Sequence, residues 1–247
     1  EPKGFGRRRL IAIGKAAGAF ARAFVDRYSI DDGIVIAPPD APALVTGLID
    51  APGDHPVPSE ASLAAGRRLW DFIGQVNADD VYIVLLTGGA SALCVLPIEG
   101  VTLEQKRHAT MQLMHAGASI AELNQLRRRL SRIKGGGLER RLAPARCITL
   151  AISDVQGDDP EVIGSGPTMS SAASLANYVV IATLDDALRA ARAYAAADGI
   201  EIMDLGRTLY GSVESEAVRI VTEIHRCRAA RRFGDRPTLL LAGGEPV

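Results

Sequence analysis

Three carboxylates that closely follow an apolar run are the residues in this sequence most suited to chemistry. The run at 148–152 has the β-branched composition typical of a buried strand, and Asp154, Asp158 and Asp159 come after it. Ligands of open α/β sheets bind beyond the carboxyl ends of the strands, where carboxylates can hold Mg²⁺ together with phosphate oxygens and water. We therefore predict a metal site at these three aspartates. The alternative is a solvated turn in which aspartates cap helices.

Loops of small residues follow other apolar runs and could bind an anion through their backbone amides. Gly14 and Lys15 follow the run at 10–13, and the loop at 88–91 follows the run at 81–86. Lys15 could hold a carboxylate or phosphate there, and an ordinary surface lysine is the alternative. Amides, a lysine and metal-binding acids along one sheet edge suit phosphoryl transfer, in which positioning and charge neutralisation supply most of the catalysis.

Apolar runs alternate with helical patterns along most of the chain. This alternation predicts a layered, Rossmann-like α/β domain with a largely parallel sheet. Parallel strands bring the loops after their carboxyl ends to one edge, where the candidate residues would meet. The predicted strands are 10–13, 33–37, 44–50, 81–86, 148–152, 179–182, 200–203 and 238–242, and the predicted helices are 19–28, 60–75, 120–133, 185–197, 213–231 and one that Thr102 caps.

Composition argues against several other classes of protein. The formal net charge of −1 provides no basic field for nucleic acid, and no apolar run has membrane-spanning length. Cys94, Cys147 and Cys227 lie far apart without metal-ligand spacing, which favours reduced thiols in a cytoplasmic protein. Neither a Walker A sequence nor a G-x-G-x-x-G fingerprint is present, so a dinucleotide dehydrogenase lacks its usual signature here.

A set of short motifs runs through nearly the whole chain. They are Gly14-Lys15-Ala16, Asp54-His55-Pro56-Val57-Pro58, Gly88-Gly89-Ala90-Ser91-Ala92-Leu93, Ile133-Lys134-Gly135-Gly136, Ile152-Ser153-Asp154-Val155-Gln156-Gly157-Asp158-Asp159-Pro160 and Ser165-Gly166-Pro167-Thr168. In this order they resemble the motifs of the glycerate 2-kinases of the MOFRL type, many of which carry the label hydroxypyruvate reductase. The resemblance implies transfer of the ATP γ-phosphate to the 2-hydroxyl of D-glycerate, which gives 2-phosphoglycerate, with ATP and Mg²⁺ as cofactors.

The resemblance also implies which residues form the cleft. Lys15 looks like the active-site lysine of the family, and Gly88, Gly89, Ala90 and Ser91 look like part of its nucleotide or substrate cleft. The further expected nucleotide- or substrate-binding residues are Asp54 and His55, for which an Asx-type turn is the alternative, together with Arg127, Lys134, Ser165, Gly166 and Thr168.

Departures from the family pattern keep other functions open. Ala90 stands where the family usually has a third glycine, and Leu184 stands where an asparagine is common. We expect residues 1–235 to form the N-terminal glycerate kinase α/β domain, and 236–247 to be the first strand of a truncated MOFRL-like domain. The alternative functions are an NAD(P)-dependent hydroxypyruvate reductase and a non-catalytic relative that binds a small ligand. The expected partners are the hydroxy acid and ATP, without nucleic acid or membrane, and a homodimer is left open.

Overall fold

A six-stranded sheet organises the larger part of the chain. The computed structural model describes residues 6–41, 45–118, 120–229 and 237–246. The strands of this sheet are β1 (Arg8–Ile13), β2 (Asp32–Ile36), β3 (Ile49–Asp50), β4 (Val81–Leu86), β5 (Arg146–Ile152) and β6 (Tyr178–Ala182). Their order is β3-β2-β1-β4-β5-β6, which places β1 and β4 in the middle of the sheet.

The strands from β1 to β5 pair in parallel, which confirms the predicted α/β class. Both β1 and β4 have unbroken apolar sequences because both faces of a parallel sheet are covered. Leu10, Ile11, Val84 and Leu85 have no exposed surface, and burying such a side chain contributes about 1.5–3 kcal/mol. The centre of the sheet is therefore the centre of the hydrophobic core.

The carboxyl ends of β1, β2 and β4 meet at one edge of the sheet. The amide of Thr87 donates to the carbonyl of Ile13 at 3.0 Å, and the amide of Gly14 donates to the carbonyl of Ile36 at 3.0 Å. These bonds extend the ladder past the ends of the strands, so the loops that follow begin side by side. The candidate residues after β1 and β4 lie on these loops.

The third strand is shorter than predicted. The interval 44–50 is reduced to Ile49–Asp50, because Gly47 has a φ of +87° and the amide of Leu48 donates to the carbonyl of Val45 at 3.1 Å in a turn. Leu44, where the predicted strand begins, lies outside the described residues.

Six α-helices belong to the larger part of the chain among the described residues. The helix that begins at Leu103 has the predicted reciprocal capping box, in which the side chains of Thr102 and Gln105 each accept a hydrogen bond from the other residue's backbone amide. The helix that begins at Ile120 ends earlier than predicted, because Ser131 forms an isolated β-bridge with Pro97 and the amide of Arg132 donates to the carbonyl of Leu96. These helices are α1 (Ala17–Val25), α2 (Glu60–Ile73), α3 (Ala90–Leu93), α4 (Leu103–His115), α5 (Ile120–Arg129) and α6 (Gly137–Leu142).

A second compact unit consists of Ser153–Gly157 and Ala182–Val247. Its elements are α7 (Leu184–Ala197), β7 (Glu201–Leu209), α8 (Val213–Ala229) and β8 (Thr238–Gly244), and β7 pairs in parallel with β8 as a two-stranded sheet. This pairing joins residues on both sides of 235, and the domain boundary there stays a prediction. Across the described ranges of the chain, no helix has the length and hydropathy needed to cross a bilayer.

Candidate active site

The loops after β1 and β4 are fastened to each other by their backbones. The amide of Lys15 donates to the carbonyl of Gly88 at 2.8 Å, and the amide of Ala16 donates to the hydroxyl of buried Thr87 at 3.2 Å. Gly14 has a φ of +138°, and a Cβ there would lie 2.0 Å from Thr87 Oγ1. Only glycine at position 14 lets the backbone lie this close to Thr87. The position of Lys15 at the sheet edge therefore depends on Gly14.

Gly89 brings Lys15 and His55 together. It precedes α3 in the left-handed conformation with a φ of +82°. A Cβ at Gly89 would lie 2.8 Å from Lys15 Cγ and 2.9 Å from His55 Cδ2, so both side chains flank its backbone. The structure thus brings together three predicted residues that lie far apart in sequence, with Lys15 and His55 on either side of Gly89. Both Lys15 and His55 are exposed, which leaves them accessible to a ligand.

Asp54 belongs to the start of α2. Its carboxylate accepts a hydrogen bond from the hydroxyl of Ser59, the N-cap of that helix, and its amide donates to Ser62 Oγ at 3.0 Å. Neither contact is an Asx-type turn, because the residue two positions after Asp54 is Pro56, which has no amide hydrogen to donate. The same contacts fix the loop that carries its neighbour His55, and a direct contact of Asp54 with substrate stays a prediction.

Ser91 lies in α3 and is the centre of a buried polar network. Its hydroxyl oxygen lies 2.6 Å from the hydroxyl oxygen of Ser165. Lys134 Nζ donates to the Ser91 carbonyl at 2.6 Å and to its hydroxyl at 2.8 Å. Lys134 is only 4% exposed, and burial lowers its pKa well below the ordinary value, with the neighbouring charges of Lys106 and Arg127 lowering the pKa further. These contacts join three predicted site residues, Ser91, Lys134 and Ser165.

The loop that carries Ser165 has a strained backbone. Gly164, Ser165 and Gly166 all have positive φ, at 58°, 64° and 59° respectively. A serine in this region costs roughly 1–3 kcal/mol, which the surrounding structure must offset. The amide of Gly135 donates to the carbonyl of Ser165 at 2.9 Å, and the amide of Gly136 donates to that of Gly166 at 2.7 Å. These two bonds hold the loop in place, and the Ser165 hydroxyl thereby stays against Ser91.

Three other predicted residues are placed by packing. Thr168 is 2% exposed, and its hydroxyl accepts from Thr149 of β5 at 2.8 Å. Ala90 is also buried, and its Cβ lies 3.3 Å from the position that a Cβ on Gly164 would take. The methyl group of Ala90 therefore fills space beneath the strained loop. Arg127 on α5 donates to Asn124 at 3.4 Å, and burial lowers its pKa.

The three predicted metal-binding aspartates are divided between the two units. Asp154 belongs to the smaller unit, whereas Asp158 and Asp159 belong to the larger one. One Asp159 oxygen accepts from the amide of Glu161 at 2.9 Å, as the alternative of a capped turn predicts. Within the described part of the chain, no group of three or more histidine, cysteine or acidic side chains could hold a metal ion. Metal binding by these three aspartates stays a prediction.

Lys106 is a buried residue that sequence reasoning missed. It lies on α4 with 6% exposure, and its Nζ has no hydrogen-bond partner among the described residues. Burial lowers the pKa of Lys106 to about 8, and Arg127 contributes to the shift. A signal was present, since Lys106 lies three residues after the buried Leu103 and therefore on the same helical face. Lysine is also scarce in this arginine-rich chain, which has only four.

Comparison with known proteins identifies the family. The family model described as "Domain of unknown function (DUF4147)" matches residues 1–195. The chain belongs to this family. The glycerate kinase of Thermotoga maritima, whose crystal structure is known, is similar to the fold of this chain with a TM-score of 0.78 and 28% identity. That similarity covers 98% of this chain and 67% of the Thermotoga chain.

Two further relatives connect the DUF4147 family with the resemblance found in the sequence. A putative hydroxypyruvate reductase from Agrobacterium vitis is 38% identical over 71% of this chain. The D-glycerate 2-kinase of Thermotoga maritima is 39% identical over 64% of this chain. The predicted membership of the glycerate kinase family is thereby confirmed. The chain spans 41% of the Agrobacterium relative and 39% of the Thermotoga kinase.

Proposed function

We propose that this chain supplies the substrate-binding and phosphoryl-transfer residues of an ATP-dependent glycerate 2-kinase, which transfers the γ-phosphate to the 2-hydroxyl of D-glycerate. The observation that carries the proposal is the convergence of Lys15 and His55 on Gly89, at the carboxyl edge of a parallel sheet. That edge is where ligands of such sheets bind. Relatives named glycerate 2-kinase and glycerate kinase support the choice of reaction.

Lys15 has the central role in the proposed reaction. Its ammonium group would neutralise the negative charge of the transferred phosphoryl group and its oxygens. The backbone bond from Lys15 to Gly88 fixes the start of this side chain before substrate binds, so little reorganisation is needed. Gly89 lets the backbone approach a ligand closely because it has no Cβ.

His55 and Ser91 would orient the hydroxy acid beside Lys15. His55 flanks the same glycine, and Ser91 lies on α3, which begins directly after that glycine. Their placement gives the small substrate polar contacts on two sides. Gly88, Ser165 and Gly166 would shape the walls of the cleft.

Mg²⁺ fits the chemistry of the acidic loop. Mg²⁺ takes one or two carboxylates together with phosphate oxygens and water, and does not need an all-protein cage. Asp158 and Asp159 are the residues proposed to hold it, and Asp154 stays a prediction from the sequence. When bound, Mg²⁺ would supply positive charge to the phosphates of ATP.

A hydroxypyruvate reductase is the second candidate, favoured by the name of the Agrobacterium relative. The sequence lacks the dinucleotide fingerprint that such an enzyme usually carries. A ligand-binding protein without activity is the third candidate, because Ala90 replaces a flexible glycine. We further propose a cytoplasmic location, with which three free cysteines agree, and a homodimer stays a prediction.

Separate calorimetric titrations with ATP–Mg²⁺ and with NADH test the proposal, followed by an assay for ADP after D-glycerate is added. The kinase predicts ATP–Mg²⁺ binding and ADP formation that depends on D-glycerate. Coupling the product to enolase then separates 2-phosphoglycerate from the 3-phospho isomer. If the chain instead bound NADH, oxidised it with hydroxypyruvate and formed no ADP, the reductase would be the correct function and the kinase would be wrong.

A further inference from the structure

Three basic side chains surround one region near α3: Lys106 and Lys134 are buried, Arg127 is half-buried, and Lys134 contacts Ser91. Lys106 comes from α4, Arg127 from α5 and Lys134 from the turn before α6, and α4 packs against α5. The charges of Lys106 and Arg127 both contribute to lowering the pKa of Lys134. Lys106 and Lys134 are 6% and 4% exposed.

The cluster of Lys106, Arg127 and Lys134 has no counter-charge within the described residues. No carboxylate there forms an ion pair with any of the three, and Lys106 Nζ is buried without a hydrogen-bond partner. The other titratable group that acts on both lysines is Cys94, whose pKa burial raises to about 12. That thiol is therefore neutral at physiological pH. Burying like charges without an anion is unfavourable and lowers the pKa values of both lysines, and a bound anion would stabilise their charged forms.

The serine pair next to the cluster offers a further hydrogen-bond donor. Ser91 Oγ and Ser165 Oγ share one hydrogen bond of 2.6 Å, which uses a single hydroxyl proton. Ser91 Oγ also accepts from Lys134 Nζ, and this bond uses none. One hydroxyl proton of the pair is thus left to donate to a ligand. The bonds from the amides of Gly135 and Gly136 to the loop of Ser165 keep this donor in place.

We infer that Lys106, Arg127 and Lys134, with the Ser91–Ser165 pair, form an oxyanion-binding site next to the Lys15 cleft. The ligand group is either the carboxylate of the hydroxy acid or a phosphate of the nucleotide. This assignment rests on the proposed function only for the identity of the ligand. Lys106, which no sequence motif marked, is the residue whose unpartnered ammonium the anion would satisfy.

The variant Lys106→Met tests this site, because methionine nearly preserves the volume and removes the charge. Titrations with D-glycerate, ATP and inorganic phosphate are compared between the wild type and the variant, with uncharged glycerol as a blank. We expect affinity for one oxyanion ligand to fall about tenfold to hundredfold, the loss typical of a charged hydrogen bond. A loss confined to D-glycerate identifies a carboxylate site, and a loss for ATP and phosphate identifies a phosphate site.

Arg107→Met is the matched control. Arg107 is the next residue on α4, it is exposed, and its replacement should leave all three affinities unchanged. Thermal unfolding without ligand verifies that the variants fold, and one concentration of the anion should raise the Tm of the wild type more than that of Lys106→Met. Unchanged affinities in Lys106→Met would overturn the inference. A chain that forms no ADP but binds an oxyanion through Lys106 would contradict the kinase and keep the site.

Discussion

The two lysines beside α3 are held in opposite ways. Lys15 is exposed and is placed by its backbone, through the bond of its amide to Gly88 and the close approach that Gly14 and Gly89 allow. Lys134 is buried and is placed by its side chain, whose ammonium group is bonded twice to Ser91. The comparison predicts that the fold depends less on the exposed side chain of Lys15 than on the buried side chain of Lys134.

The largest expected effect on stability is that of Lys134→Ala. This change removes two short hydrogen bonds and leaves a cavity, and relief of the buried charge offsets only part of the loss. We expect the free energy of unfolding to fall by roughly 3 kcal/mol in urea denaturation. Lys15→Ala is the matched control and should change it by less than about 0.5 kcal/mol. Equal losses in the two variants would remove the distinction between the lysines.

The buried charge of Lys106 should appear in the pH dependence of stability. Its pKa is about 8 in the folded chain and 10.5 ordinarily, so the folded state binds the proton less tightly. The resulting destabilisation is fully present below pH 8 and disappears as the pH rises toward 10.5. Lys106→Met should therefore exceed the wild type in stability at pH 7, and this gap should shrink by about 2 kcal/mol at pH 10. A gap that is independent of pH would show that Lys106 titrates normally.

Gly89→Ala sharpens the role of the glycine between Lys15 and His55. The new Cβ would press on the side chains of Lys15 and His55, and the backbone of the alanine would have to keep a positive φ. Gly100 has a similar φ of +77° with nothing within 4 Å of its Cβ position, so Gly100→Ala is the control for backbone strain alone. Both variants should lose about 1 kcal/mol of stability, and only Gly89→Ala should weaken ATP binding, by about tenfold. If both variants bound ATP equally well, Gly89 would serve only the backbone turn and not ligand binding.

Features encoded by neighbouring residues could be predicted from the sequence. The interval 81–86 was predicted as a strand, and β4 has these bounds, because a strand covered on both faces has an unbroken apolar sequence. The loop at Gly14 and Lys15 could likewise be predicted, because a glycine directly follows an apolar run. The grouping of Lys15 with His55 around Gly89 was expected only through the family resemblance.

Features that depend on long-range packing could not be predicted. Lys106 shares a helical face with Leu103, but whether this face is buried depends on how α4 packs against α5. The capping bond of Asp159 depends on the turn that brings Glu161 to it, and a carboxylate that caps a turn looks the same in sequence as a metal ligand. The left-handed Ser165 likewise depends on the bonds from Gly135 and Gly136.

Steady-state kinetics of Lys15→Ala and Lys15→Arg with D-glycerate and ATP test the central claim, that Lys15 supplies charge to the transferred phosphoryl group. The account predicts that kcat of Lys15→Ala falls about a hundredfold, while its free energy of unfolding stays close to that of the wild type. Lys15→Arg should recover only part of the rate, because a planar guanidinium cannot replace a compact ammonium group. A near-normal kcat and KM for D-glycerate in Lys15→Ala would make Lys15 a surface lysine and contradict the account.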